Sequence, residues 1–225
     1  MIQPILLTGC ARSGTSMTAG IISFCGAFGG KMSGPNDNNK KGMFENAEIR
    51  NNFVKPYLAS IGADPMGQNP LPEAGRLRPY PYLREDVEKT LGHQGYKSGP
   101  WFYKGAKMCL MWSVWHAAFP KAKWIIVRRK DEDIIASCLK TGFMRAFNDE
   151  MGWQWWVDQH KKRFEEMKAA GLDVQEIWPT KFVHGDLSEI RTFVDMYGGL
   201  KWNEKAVADF ITPAWWSTGR QNNGS

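Results

Sequence analysis

Apolar and polar positions along this chain fall into blocks of two kinds. Short continuous apolar runs predict buried strands at Ile5 to Thr8, at Trp101 to Tyr103 ending on Lys104, and at Lys123 to Val127. Lys181-Phe182-Val183 predicts a fourth. Between them lie longer segments with helical spacing. Met17, Ile21 and Phe24 predict a helix from Gly14 to about Cys25, with Gly26 as its stop. Further helices are predicted from Phe44-Glu45 toward Ser60 with Pro56 interrupting, over 82–91, from Leu110 to Phe119 before Pro120, and from a cap at Asp131 or Asp133 through Lys140. The last three run from Glu150 to Ala170, from Leu187 to Tyr197 and from Asn203 to Phe210. The first of these carries the clearest stripe: Trp153, Trp156, Val157, His160, Phe164 and Met167 share one face of a 3.6-residue period.

Strands alternating with helices predict an α/β fold of three layers, a mostly parallel sheet flanked by helices on both faces. No internal repeat and no composition break divides the chain, so residues 1–225 read as one domain. The segment 29–42, rich in Gly, Asn and Lys, predicts a mobile loop. Residues 63–81 carry prolines at 65, 70, 72, 79 and 81 and predict a long irregular segment of the kind that forms lids and binding loops. Residues 218–225 predict a loose polar tail.

Composition narrows the classes. With 43% hydrophobic and 23% charged residues, global disorder, collagen and coiled coil are excluded. No run approaches the roughly 18 apolar residues of a membrane helix. The first residues lack the basic start of a secretory leader, so none is expected. Cys10, Cys25, Cys109 and Cys138 form no CxxC pair and sit in apolar stretches, which predicts buried reduced thiols and a cytoplasmic protein. The cysteines and four histidines show no metal-binding spacing. The net charge of +6 suits an anionic ligand. Its longest basic clusters, 128–130 and 161–163, are too short for a nucleic-acid stripe.

Two motifs carry chemistry. Gly9-Cys10-Ala11-Arg12-Ser13-Gly14-Thr15-Ser16 follows the first strand and opens a helix. Backbone N–H groups at a helix N-terminus, with glycines permitting close approach, cradle a phosphate. The spacing is that of the G-x-x-x-x-G-K-[ST] nucleotide loop, but Thr15 replaces the lysine that binds the β- and γ-phosphates. That disfavours an ordinary kinase or NTPase and leaves Arg12 as the loop's cation. In the second motif, Arg129 lies just past the end of the 123–127 strand and Ser137 falls eight residues on, in the early turns of a helix. A guanidinium and a hydroxyl so placed can hold a second phosphate.

Together the motifs resemble those of sulfotransferases that use 3′-phosphoadenosine 5′-phosphosulfate, which carry P-[KR]-S-G-T-[ST] and R-x-P-x-D-x-x-x-S. Here Ala11 and Asp131 stand where those patterns have proline, which weakens turn rigidity without removing a ligand. The resemblance continues through Lys40 to Glu45, similar to a G-x-F-E segment, and Lys104 to Lys107, placed like K-D-P-R. It extends to Val183 to Leu187, similar to a Y-E-D-L strand end, and Tyr197 to Trp202, similar to F-L-G-L-x-W.

The resemblance implies a P-loop-like sulfotransferase fold and a donor nucleotide held by Gly9, Arg12, Ser13, Gly14, Thr15, Ser16, Arg129 and Ser137. By likeness to the tyrosylprotein-type branch, Arg12 and Lys104 are the implied cations and Glu45 the implied base. The histidine that the cytosolic branch places two residues after its strand lysine is Ala106 here. His184, read as a strand end on the ligand face, is the reserve base. His160 reads as a core histidine. Lys205 and Arg220 stand near enough to the end of the chain to be weighed for the 3′-phosphate. Trp155, Trp215 and Trp216 are candidates for stacking. The acceptor is open among small-molecule, carbohydrate and peptide hydroxyls or amines. A nucleotide kinase or hydrolase, or a non-catalytic nucleotide-binding protein, remains the alternative. Oligomeric state is not legible.

Overall fold

The computed structural model describes residues 2–37 and 39–216. Four strands form one parallel sheet in the order β2-β1-β3-β4. They are β1 (Ile5–Gly9), β2 (Phe102–Lys104), β3 (Lys123–Val127) and β4 (Val174–Ile177). Strand β1 pairs with both β2 and β3, so the chain reverses direction across the sheet at β1. Ligands of open α/β sheets bind at the carboxyl ends of strands beside such a switch.

The helices are α1 (Thr15–Phe24), α2 (Ala47–Ile49), α3 (Lys55–Ser60), α4 (Leu83–His93), α5 (Trp112–Ala118), α6 (Asp131–Leu139), α7 (Glu150–Ala169), α8 (Pro179–Val183), α9 (Ser188–Met196) and α10 (Glu204–Phe210). Side chains alternate across each strand, and the two faces feed separate cores. Leu6, Tyr103, Trp124 and Ile126 pack with α3, α4, α5 and α7 on one face. Ile5, Leu7, Phe102, Ile125 and Val127 pack with α1, α9 and α10 on the other. The three-layer α/β architecture is therefore as the sequence pattern predicts. Every residue of the α7 stripe is buried, while Trp155, off the stripe, is 44% exposed. All four cysteines are buried and free.

One element differs. The fourth strand is Val174–Ile177, and Lys181-Phe182-Val183 lies in α8. β4 pairs only with β3 at the sheet edge, so its polar Gln175 and Glu176 are tolerated and its apolar signal is weak. Glu176 pairs there with Arg128 at 2.6 Å. Pro179 occupies the first turn of α8, where a missing N–H costs nothing, and Phe182 is buried from a helix instead.

The 44–60 helix is also less regular than its pattern. It begins after Asn46, whose side chain caps Ile49 N at 3.2 Å, and a π-helical turn at Arg50–Val54 separates α2 from α3. Pro56 follows that turn. Its ring would collide with the carbonyl four residues back in a tight α-turn, and the wider turn relieves the clash. The proline-rich 63–81 segment holds only a 3₁₀ turn at Ala74–Arg76. The tail at 218–225 and Arg220 lie outside the described residues.

Candidate functional site

The carboxyl ends of three adjacent strands bring the sequence-predicted residues together. Leu7 pairs with Lys104, and Gly9 with Val127, so the loop after β1 lies between Lys104 and Arg129. The loop turns tightly. A Cβ on Gly9 would stand 2.6 Å from the Val127 carbonyl oxygen, a contact only glycine avoids. Gly14 caps α1 with φ of 98°, in the left-handed region, and a Cβ there would meet the Trp216 ring at 2.9 Å. Below the loop, Thr8 Oγ1 donates to the Gly105 carbonyl at 3.0 Å and accepts from Cys109 N at 3.1 Å. These bonds tie the end of β1 to the turn after β2.

Among the described residues, Arg12 and Phe44 are the two non-glycine positions with positive φ, at 71° and 49°. Such backbone costs on the order of 1–3 kcal/mol and persists where surrounding structure imposes it. One of them is the loop arginine. The other immediately precedes Glu45.

The two sequence motifs are physically joined. Arg12 Nε donates to Ser137 Oγ at 3.0 Å, and Arg129 Nη1 donates to the Arg12 carbonyl at 2.8 Å. Arg129 also pairs with Asp133 at 3.8 Å, and its guanidinium lies 4.4 Å from the centre of the Trp216 ring. A cavity of about 390 Å³ opens over this network, lined by Arg12, Thr15, Ser16, Lys40, Lys41 and Arg129, with Trp216 forming part of its wall. Among the described residues of its lining, four cations stand against one acid, Asp37, a donor set that fits a polyanion at a helix N-terminus.

A second cavity, of about 260 Å³, adjoins the first and shares Arg12, Thr15 and Ser16 with it. It holds Glu45 and Lys104, which form an ion pair of 3.3 Å with both side chains nearly inaccessible, at 5% and 3% exposure. Burial pushes the Glu45 carboxyl up, but Lys104, Lys107 and Arg50 together outweigh it and hold the group below the usual carboxylate range. Burial pushes the Lys104 ammonium down, and Glu45 opposes that. Glu45 is anchored through its own backbone, whose carbonyl accepts from Ser33 N at 2.9 Å. Ser16 Oγ donates to the Met43 carbonyl at 3.1 Å and fastens the same segment to α1.

His160 stands at the second cavity as well as in the core. Its Nδ1 donates to the Trp156 carbonyl at 2.8 Å, and burial lowers its pKa to about 4. The imidazole is therefore neutral at physiological pH, with Nε2 unprotonated. The reserve base fares differently. His184 does not end a strand but caps α8, exposed, with Nδ1 bonded to the Thr180 carbonyl at 2.7 Å. It lines neither cavity. Lys205 and Trp155 likewise line neither, whereas Trp216 does.

Sequence reasoning did not single out Arg50, Lys55 and Lys107, all of which line the second cavity. Lys107 had a signal, standing three residues beyond Lys104 in the segment placed like K-D-P-R. Arg50 and Lys55 had none, because their convergence depends on the π turn between them.

The sequence matches no described protein family and no curated protein. In three dimensions the chain is similar to a sulfotransferase from Mycobacterium tuberculosis, at 13% sequence identity and a TM-score of 0.54, over 93% of this chain and 71% of that one. At such identity the likeness speaks for the fold: this chain has the parallel, helix-flanked α/β architecture of the broader sulfotransferase and P-loop-like group.

Proposed function

We propose that this protein transfers a sulfuryl group from 3′-phosphoadenosine 5′-phosphosulfate to a hydroxyl or amine acceptor. The observation that carries the reading is the junction of the two cavities. A polycationic cavity over a phosphate loop meets a second cavity containing a buried carboxylate and a buried lysine, and the loop residues Arg12, Thr15 and Ser16 line both.

The backbone N–H groups at the start of α1, with Ser13 to Ser16, hold the 5′-phosphate. Arg129 and Ser137 take the 3′-phosphate, and their bonds to Arg12 keep the two phosphate sites at a set separation. The donor supplies an activated sulfur whose bond to the bridging oxygen breaks as the acceptor's new bond forms, leaving 3′-phosphoadenosine 5′-phosphate. Glu45 accepts the acceptor's proton, and Lys104 and Arg12 stabilise charge on the departing oxygen. Because Lys104 is paired with Glu45, its move toward the departing oxygen releases the carboxylate's strongest electrostatic restraint and makes it a better base. Positioning and charge stabilisation suffice for this class of transfer.

The test is calorimetric titration with 3′-phosphoadenosine 5′-phosphate beside ATP with magnesium. Binding of the bisphosphate alone is expected. Binding of ATP alone would make this a nucleotide kinase or hydrolase, and binding of neither would also overturn the reading.

A further inference from the structure

Once these roles are assigned, three cations in the second cavity have no part in the transfer: Arg50, Lys55 and Lys107. They converge from two stretches of the chain. Lys107 stands in the 3₁₀ turn Ala106–Met111 directly after β2. Arg50 opens the π turn and Lys55 follows it, the closing bond running from Lys55 N–H to the Arg50 carbonyl. In a regular α-helix, residues five apart point roughly 140° away from one another. The wider i→i+5 turn brings them close to one face. Such turns recur at functional sites, and here the insertion turns both cations toward the same cavity.

Their charge is not balanced locally. Among the described residues, Glu45 is the one acid lining this cavity, and Lys104 is already paired with it. None of Arg50, Lys55 and Lys107 forms an ion pair within the described residues. Burial pushes the Lys107 ammonium down; Glu45 pulls it back, while Lys104, Arg50 and Lys55 push it down again. Like charges gathered in a partly enclosed space repel one another, and a bound anion relieves that repulsion.

We propose that the acceptor carries an anionic group of its own, a carboxylate, phosphate or sulfate, which Arg50, Lys55 and Lys107 bind while the nucleophilic atom faces Glu45. A cavity of about 260 Å³ takes a small molecule. The word acceptor rests on the sulfuryl-transfer reading; the anion site rests on the cavity alone.

The experiment compares two isosteric probes, 4-hydroxybenzoate and 4-hydroxybenzamide, titrated into the protein saturated with 3′-phosphoadenosine 5′-phosphate. The anion is expected to bind at least about tenfold more tightly, the scale of one charged hydrogen bond. The preference should vanish in Lys55→Gln/Lys107→Gln, or shrink in Lys55→Gln alone if the double variant does not fold. Equal binding of the two probes, or binding of neither, overturns the proposal. A preference that survives the lysine changes but is lost in Arg129→Ala places the anion in the other cavity and overturns it too. The nucleotide titration is read separately. If the nucleotide does not bind, sulfuryl transfer falls, and the probe comparison on the unliganded protein still decides whether the anion site exists.

Discussion

Replacing Lys104 with methionine isolates the buried pair at the centre of the site. The side chains are similar in length, so the change removes charge more than volume. At 3.3 Å the pair attracts by about 5 kcal/mol at an effective dielectric constant near ~20, and the desolvation of both groups opposes this. Removing one partner of such a pair costs about 3–5 kcal/mol, because the other charge stays buried without compensation. Lys107 and Arg50 still face Glu45, so a loss near the lower end, about 3 kcal/mol, is expected at pH 8. The pH dependence carries the sharper signature. In the wild type, Glu45 is held below its usual pKa, so its stabilisation is present above the ordinary carboxylate value and is lost only as pH falls through the lower folded value. Lys104→Met removes the largest charge that opposes burial, so the carboxyl titrates higher than in wild type, Glu45 takes up a proton earlier as pH falls, and the deficit against wild type should be smaller at pH 5 than at pH 8. Lys104→Met/Glu45→Gln, with neither charge, should recover most of the loss at pH 8. Urea unfolding of the three proteins at pH 8 and pH 5 measures all of this. A deficit under about 1 kcal/mol, or one equal at both pH values, would refute the electrostatic account of the pair.

Arg129→Ala should weaken 3′-phosphoadenosine 5′-phosphate by about 10–100-fold and adenosine 5′-phosphate only a few-fold, and equal losses by calorimetry would remove the 3′-phosphate role. Gly14→Ala forces a side chain into the left-handed region and against Trp216 and the Pro179 side chain, 3.1 Å away, so about 1–2 kcal/mol of stability and most nucleotide affinity should go. An unchanged melting temperature and affinity would contradict that geometry. His160, with a folded pKa of about 4 against an ordinary value near ~6.5, binds fewer protons folded than unfolded between these pH values. Stability should therefore fall as pH drops through that window, by on the order of 3 kcal/mol in total, and His160→Asn should flatten the dependence; parallel slopes for the two proteins would show that His160 is not its source.

What was legible in the sequence is what depends on near neighbours along the chain. The glycine-bearing turn after β1 is a local strand-turn-helix device, so its glycines announce it, and the α7 stripe follows from helical periodicity alone. The buried central strands read clearly because both of their faces are covered. β4 did not, since unlike β2 at the opposite edge it is only partly buried and carries polar residues, and the nearby Phe182-Val183 run supplied a stronger false signal. Tertiary structure alone decided what depends on distant segments meeting. It paired Glu45 with Lys104, 59 residues apart, and thereby turned a carboxylate and an ammonium into one coupled unit. It linked Arg12 to Ser137 across 125 residues. It brought Trp216 over Arg129, and through a π turn that periodicity does not encode it gathered Arg50 and Lys55 beside Lys107. Local patterns specify which way a side chain faces along its own element; only the packing of elements sets the distances and burial on which charge depends.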